Sequence, residues 1–538
     1  AEDHSMSILL EINITAQSIW RDDVDIQWTD DVDHEWVDGQ VMQVSDENFA
    51  GNTFWENFLM SFSSPQYRLS TPYGGYCEMQ FGSFSVSQDV FDQADIWPPP
   101  QSFSVAIYYT PDTETNKELL FDGTAHRSSF DRSSVGYDTY GPEYDVDLLS
   151  ETTGYSSAEQ NLSNAAAVDE GGGLVGIPCP SHGYKEGDSI VISGSTNYDA
   201  TYTLPTQAAG TGDEFIVTAT YNAETFAGTE VVSHSGIITI PRAFGTINHG
   251  AVIRLPDVGG EPTYHTGYIA GTKGAADGWH VYDDGVNIDA NVTDNGNNTF
   301  SLSAVAVGEV TICGSGAYTT LAGVFGWACS AARLPMSLDT TKSESPSPPV
   351  NYWADSQTKL IDFLSKIAAY HTHFFYIKTS TLYLIDMNVD NGSRTVTEYD
   401  YFPASYADLA PLSKITGTWR ERSAANETIG KFIRESEYEE IYFPPYPYGG
   451  ELSLEAYGNV RSDVAASLLA ISTLYHKQQI TAPIPIESSL PVPGEAISGT
   501  DTSTKRDVSF SFRTREISYD FFGGVPKAHI TGEGTVTS

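Results

Sequence analysis

The sequence is short of cations. Its 538 residues include 27 Lys and Arg against 71 Asp and Glu, a formal net charge of −44 at pH 7. A protein that holds nucleic acid by neutralising phosphates needs a cationic footprint, and this composition argues against one. The same Coulomb argument disfavours an anionic membrane surface as a partner. Cysteine is sparse too: Cys77, Cys179, Cys313 and Cys329, far apart and with no CxxC pair. A disulfide scaffold concentrates its cysteines in a short chain, and a zinc or iron–sulfur site spaces its ligands more closely. Four separate thiols are expected. No run approaches the roughly 18–20 consecutive apolar residues that span a bilayer. The acidic start, Ala1-Glu2-Asp3-His4-Ser5, lacks the basic region of a secretory signal. A soluble chain is expected, with nothing directing export by that route.

What is present can build cores. Hydrophobic residues make up 40% and aromatics 12% of the chain, which excludes wholesale disorder despite the charge. At roughly 100–200 residues per domain, the length implies three to five domains.

Period-two alternation, broken every 8–12 residues by Gly, Pro, Asn or Asp, dominates the pattern and predicts antiparallel β-structure. Phe103, Val105, Ile107 and Tyr109 alternate with Ser102, Ser104, Ala106 and Tyr108. Phe300 and Leu302, then Val508, Phe510 and Phe512, repeat the device. Two segments read as helices. Over 355–370, Asp355 or Ser356 can cap, and Leu360, Ile361, Leu364, Ile367 and Ala368 form one stripe. Over 462–479, Ser462 and Asp463 suit the positive end, and His476 and Lys477 the negative one. Breaks fall at Trp97-Pro98-Pro99-Pro100, at 150–173, at 343–349 and at 444–450. Between 174 and 235, turns at Gly187-Asp188 and Asn197-Tyr198-Asp199 separate short strands, which reads as a small inserted β-module.

No motif points to chemistry. Gly171-Gly172-Gly173-Leu174-Val175-Gly176 fits GxGxxG literally but lacks the strand and helix that aim amides at a pyrophosphate, so it reads as a flexible hinge. His371 and His373 would share a strand face, yet no third ligand accompanies them, and a His at a helix C-terminus is favourable anyway. Asp22, Asp23, Asp25, Asp30, Asp31, Asp33 and Glu35 lack the glycine of a calcium loop and read as a solvated strand face. Asp283-Asp284-Gly285 and Asp294-Asn295-Gly296 read as hairpin turns. Seventy-one carboxylates leave a glycosidase pair open, but no pair stands out, and HExxH, GxSxG and Walker loops are missing. No catalytic, cofactor-binding or metal residue is assigned, and binding residues stay unassigned.

Several segments, taken in order, resemble the tail-tip or baseplate hub proteins of long-tailed bacteriophages and gene transfer agents. The strongest stretch holds Pro241-Arg242-Ala243-Phe244-Gly245, then Val281-Tyr282-Asp283-Asp284-Gly285-Val286, then Asn298-Thr299-Phe300-Ser301-Leu302 and Val307-Gly308-Glu309-Val310-Thr311-Ile312. Such hubs often read P-x-x-x-G, y-D-n-G, t-F-x-L and P-x-G-x-V-T; this chain departs at Ala306-Val307, where Pro is common. The helix and strands over 359–386 look like a second hub element. The segment Pro491-Val492-Pro493-Gly494-Glu495 and the strands ending in Thr531-Gly532-Glu533-Gly534 resemble the closing barrel. Leu119-Leu120-Phe121-Asp122-Gly123 fits an early barrel strand, and the module at 174–235 resembles accessory β-modules of virion proteins.

The resemblance implies a mainly β, multidomain fold. Its spans would be an N-terminal β-barrel hub domain at 1–150, the inserted module at 174–235, and a β-rich hub domain at 236–340. An α+β hub element at 351–400 and a C-terminal β-barrel hub domain at 401–538 would complete it. It implies a homotrimer at the distal end of the virion's tail, its paired barrels turning three-fold symmetry into a pseudo-six-fold ring. The implied partners are a distal tail protein, the tape-measure protein, tail fibres or a spike, DNA in transit, and the host surface. The implied role is mechanical, with no enzyme activity and no cofactor. Carboxylates lining a bore would repel passing phosphates; acidity as adaptation to salt is the equal alternative. A receptor- or carbohydrate-binding tail component, stacking sugars on the tyrosines of 442–448, is a second reading. A polysaccharide-degrading tail enzyme is a third.

Overall fold

Alternating apolar side chains become strands that bury one face. Ser102–Thr110 buries Phe103, Val105, Ile107 and Tyr109 and leaves Ser104 exposed. Thr299–Leu302 buries Phe300 and Leu302, and Val508–Asp520 buries Phe510 and Phe512. The computed structural model describes residues 7–537 apart from 15–39, 94–98, 111–116, 142–152, 180–188, 206–213, 331–335, 397–403, 420–436, 443–449, 456–465, 472–477, 502–507, 522–526 and breaks of one to three residues elsewhere. The acidic run at 22–35, the Gly187-Asp188 turn, and the caps expected at Asp355, Ser356, Ser462 and Asp463 lie outside the described residues.

The protein is mainly β and multidomain. A nine-stranded sheet has the strands Ser7–Ile14, Ser102–Thr110, Glu118–Phe130 and Ser134–Tyr140 at its centre, each antiparallel to the next. An eleven-stranded sheet combines distant parts of the chain. The hairpin of Gln66–Thr71 and Gly74–Gln80 lies between His373–Lys378 on one side and Val508–Asp520 on the other. Lys527–Thr537 and Gln478–Pro485 continue beyond. Both large sheets contribute to one core, which joins Ile107, Phe121 and Tyr137 with Phe374, Ile480, Phe512 and Ile530 among others.

His373–Lys378 shows why some strands do not alternate in sequence. Phe374 and Tyr376 enter that shared core, whereas Phe375 and Ile377 enter a second core on the opposite face of the sheet. A strand covered on both faces reads as a continuous apolar run. The second core is closed by two helices, α1 (Leu321–Ala328) and α2 (Leu360–Tyr370). In α2 the expected stripe of Leu360, Ile361, Leu364, Ile367 and Ala368 is buried as predicted. Helix α1 escaped the sequence reading because Leu321, Val324, Phe325, Trp327 and Ala328 bury several sides of it, leaving no polar face to set a period. Thr320 caps it, its hydroxyl accepting from the Gly323 N–H at 3.2 Å. The second expected helix is described at 466–471; Gln478 and Gln479 belong instead to Gln478–Pro485, where pairing with Lys527–Thr537 takes them.

Two further units hang from two-stranded ribbons. Thr153–Ser156 pairs with Ile237–Ile240, so the chain leaves and returns side by side. Between them, strands from Gln160–Asn161 to Val231–His234 form two small sheets around Val175, Ile190, Phe215 and Phe226. Here the triple glycine differs from the flexible hinge expected. It closes a hairpin between Val168–Gly171 and Leu174–Pro178, all three residues taking φ between 65° and 81°. The second unit begins at Arg242–Phe244, which pairs with Tyr352–Ala354, and centres on Trp279, Val281, Phe300 and Ile312.

Candidate functional site

Two of the motif segments, around Asp283-Asp284-Gly285 and Gly308-Glu309, meet in space. Asp284 and Gly285 take φ of 46° and 80° and form a two-residue turn between His280–Asp283 and Val286–Asn287. The Asp283 carboxylate accepts from the Gly308 N–H at 2.7 Å, and that of Asp284 from the Glu309 N–H at 3.1 Å. The Asp284 N–H in turn donates to the Glu309 carbonyl at 3.1 Å. A Cβ on Gly308 would lie 2.1 Å from the Asp284 carboxyl carbon, so glycine is needed where the turn closes. These residues clamp the hairpin onto the segment that leads into Val310–Ser315. The neighbouring hairpin also forms, but its turn is Asn297-Asn298, with φ of 50° and 61°, and not Asp294-Asn295-Gly296. Asparagine tolerates the left-handed region, and Gly296 is taken by a bulge two residues earlier.

The paired histidines are held by defined contacts. His373 lies in the core, bonded to the His371 carbonyl at 2.7 Å and to Ser343 Oγ at 3.2 Å. His371 caps the end of α2, but burial, reinforced by His373, lowers its pKa to about 3. It is thus neutral, and the favourable charge–dipole contact expected there is not made. No group of three or more His, Cys, Asp or Glu among the described residues is placed to hold a metal ion. None of the four cysteines is in a disulfide: Cys77 and Cys179 are buried, Cys313 and Cys329 half-buried.

The feature that stands out chemically is a polar cleft at a fork in the eleven-stranded sheet. Val508–Asp520 pairs with Ala496–Asp501 as far as Arg513 and with Gln66–Thr71 from Ile517 onward. Between those partners its register against Lys527–Thr537 slips at Thr514/Glu516, a β-bulge whose extra residue is Arg515. The bulge buries Arg515 to 6% exposure. Its guanidinium reaches Glu533 Oε2 at 3.4 Å and the Met387 sulfur at 2.6 Å, while Nε has no partner. Burial lowers the Arg515 pKa and Glu533 raises it again. The cleft beside it, about 500 Å³, is also lined by Arg68, Glu78, Gln479, Glu516 and Glu533, within the size range of ligand-binding clefts. Glu78 accepts from Gln80 at 2.7 Å. Neither the Arg68 nor the Glu516 side chain has a hydrogen-bond or ion-pair partner among the described residues. Tyr76 closes the floor, 8% exposed, its ring packed 5.1 Å from that of Phe375.

Sequence reasoning passed over this site, although a signal was present. The apolar phase of the strand is even at Val508, Phe510 and Phe512 and odd at Ile517 and Tyr519. Such a phase change within one strand marks a bulge.

No family model matches the chain, and no curated protein matches it. Among solved structures it is similar to the 43 kDa tail protein of prophage MuSo2 from Shewanella oneidensis, with TM-score 0.38 and 8% identity over 90% of this chain and 96% of that one. A chain of the virion of a native gene transfer agent particle gives TM-score 0.36 and 9% identity over 55% of this chain and 84% of that one. The tail protein of Neisseria meningitidis MC58 gives 0.29 and 9% over 69% and 96%. Likeness at these scores decides neither fold nor role.

Proposed function

We propose that this chain is a structural virion protein, the hub that closes the distal end of a phage-type tail tube. The order of hub-like segments along the sequence carries the reading, and the mutual clamp of Asp283-Asp284 on Gly308-Glu309 supports it, because residues quoted separately act as one unit. The architecture is compatible in a second way. Each chain offers two large sheets on a shared core, so three copies would bring six around one axis, matching a hexameric tube.

In this reading the spans 1–150 and 401–538 supply the barrels, and 174–235 is an accessory module. The trimer joins the tube, through a distal tail protein, to fibres or a spike, and holds the tape-measure protein until host contact. Opening is a change in subunit contacts, not bond-making. The net charge keeps passing DNA moving or suits the surface to salt. The sugar-stacking alternative gains nothing here, since of 442–448 only Tyr442 lies among the described residues.

The test is a map of assembled particles. Three copies ringing the far mouth of the tail tube are expected; density for the chain anywhere else ends the proposal. Single carboxylate-to-amide changes are expected to leave no hydrolytic rate to lose on surface polysaccharide, and a depolymerase activity abolished by one pair would favour the enzyme reading.

A further inference from the structure

We infer that the unit spanning 246–315 is held down by an acid-sensitive latch: protonation of His265 undocks the turn His265-Thr266-Gly267-Tyr268 from the ribbon of Arg242–Phe244 and Tyr352–Ala354, and the unit then hangs from a neck at Gly245 and Gly316. The neck is narrow. The Gly316 N–H donates to the Gly245 carbonyl at 2.8 Å, so the chain enters and leaves the unit side by side. Gly245 takes φ of 68° there.

The turn grips both strands of the ribbon. The Gly267 carbonyl accepts from the Ala243 N–H at 2.8 Å. The Trp353 indole lies against Gly250 and Gly267 of the unit, where a Cβ would come within 2.7 Å and 2.2 Å of the ring. The Arg242 guanidinium lies 4.1 Å from the ring centroid of Tyr268 and 5.1 Å from that of Trp327 on α1. Its cation–π contacts thus tie the unit to the second core. Docking holds Tyr268 at φ of 61°, a region that bulky side chains rarely adopt. Backbone held so by its surroundings concentrates at switch regions.

His265 governs this turn. Its Nδ1 accepts from the Gly267 N–H at 3.0 Å, and its ring meets Tyr268 edge-on at 4.8 Å. The neutral ring therefore carries its hydrogen on Nε2. A proton added at Nδ1 makes both ring nitrogens donors, so the Gly267 N–H loses its acceptor and a cation appears beside Arg242. The first change disturbs the peptide that holds Ala243, the second the ring that stacks on Arg242. The surroundings give the proton no counter-charge. Arg242 acts on His265 from the ribbon, and among the described residues no carboxylate does. On the neighbouring strands, Arg254 stands opposite Tyr264, and the residue opposite His265 is Thr299. Burial, then Arg242, hold the docked ring at about 4, and undocking returns it toward 6.5. The latch is therefore intact above pH 6.5 and is lost as pH falls toward about 4. It works wherever in a particle the chain sits.

The experiment is amide hydrogen exchange of the full chain at pH 7 and at about pH 4, corrected for intrinsic rates. The Ala243 and Gly267 amides are expected to lose protection roughly tenfold or more in acid. Those of His280–Asp283 and Val310–Ser315 inside the unit, and of Gly316 at the neck, are expected to keep theirs. His265→Gln supplies an oxygen that can accept from Gly267 without taking up a proton, and should keep both latch amides protected in acid. Arg242→Gln, read by NMR titration of His265, should raise its midpoint above about 4. Latch amides that stay protected in the parent overturn the inference. So does a loss shared by His265→Gln or by the unit's own strands, and so does a His265 midpoint indifferent to Arg242→Gln.

Discussion

Removing one member of the buried Arg515–Glu533 pair should cost far more than removing both. Their side chains are 7% and 5% exposed, so neither charge can turn to water. Stripping a buried ion of its partner costs about 3–5 kcal/mol. Glu533→Gln leaves Arg515 with its Nε already unpaired and without its ion-pair partner among the described residues, so the full penalty of about 3–5 kcal/mol is expected. Arg515→Met takes the guanidinium from Glu533 but also removes that orphaned donor, which returns about 1–3 kcal/mol. Its net cost should be nearer 2 kcal/mol. Met387 already lies against the guanidinium, so a methionine at 515 meets an apolar neighbour. The double variant Arg515→Met/Glu533→Gln removes both charges and should come within about 1 kcal/mol of the parent. In a chain of several cores, hydrogen exchange of the amides in Val508–Asp520 and Lys527–Thr537 reads this locally, where a global melt would average it. Strict additivity of the two single costs would refute the reasoning, as would a cost-free Glu533→Gln.

Three further outcomes follow from the geometry. Gly308→Ala drives a methyl into the Asp284 carboxyl group and should cost about 1–3 kcal/mol, with Asp283→Ala costing about 1–2 kcal/mol through the freed Gly308 N–H; an unchanged calorimetric melt for both would show that the clamp is idle. Burial, helped by Arg242, lowers His265 from 6.5 to about 4. The unfolded chain therefore takes up this proton first, so the His265 contribution is intact above pH 6.5 and is lost as pH falls toward about 4. His371 acts in the same direction, down to about 3. Urea midpoints should fall over that window and His265→Gln should flatten the fall; a midpoint flat from pH 6.5 to 4 contradicts it. Burial pushes Cys329 up to about 11 and raises Cys313, while Cys77 and Cys179 are shielded outright. A disulfide reagent should find two slow thiols in the native protein and four after denaturation, and four fast ones would be inconsistent with these burials.

Local patterns were legible where a single neighbour decides conformation. Phe103 to Tyr109 alternates because one face of its strand is buried, and Asp284-Gly285 turns because both residues tolerate positive φ. The stripe of α2 was readable because one face of that helix meets a core. Elements whose form is set by distant partners were not readable. Helix α1 is apolar on several sides because of what covers it, and Gln478 continues a helical pattern although Gly534 pairs with it in a sheet. Nothing near Gln66–Thr71 announces that Ile517 and Ser518 will pair with it. The candidate site suffers most, since Arg515 enters the cleft only through a slip between strands that the chain brings together last.

The hairpin of Gln66–Thr71 and Gly74–Gln80 has a consequence for biosynthesis. It leaves the ribosome early, yet its neighbours on either side, His373–Lys378 and Val508–Asp520, emerge hundreds of residues afterwards. Until residue 378 has emerged both margins of that ribbon are unmatched, and the margin facing Val508–Asp520 stays open to wrong partners until that strand follows. Nascent chains halted before 508 should bind holdases and clump, whereas chains extended past 537 should let this sheet knit as one late, slow event.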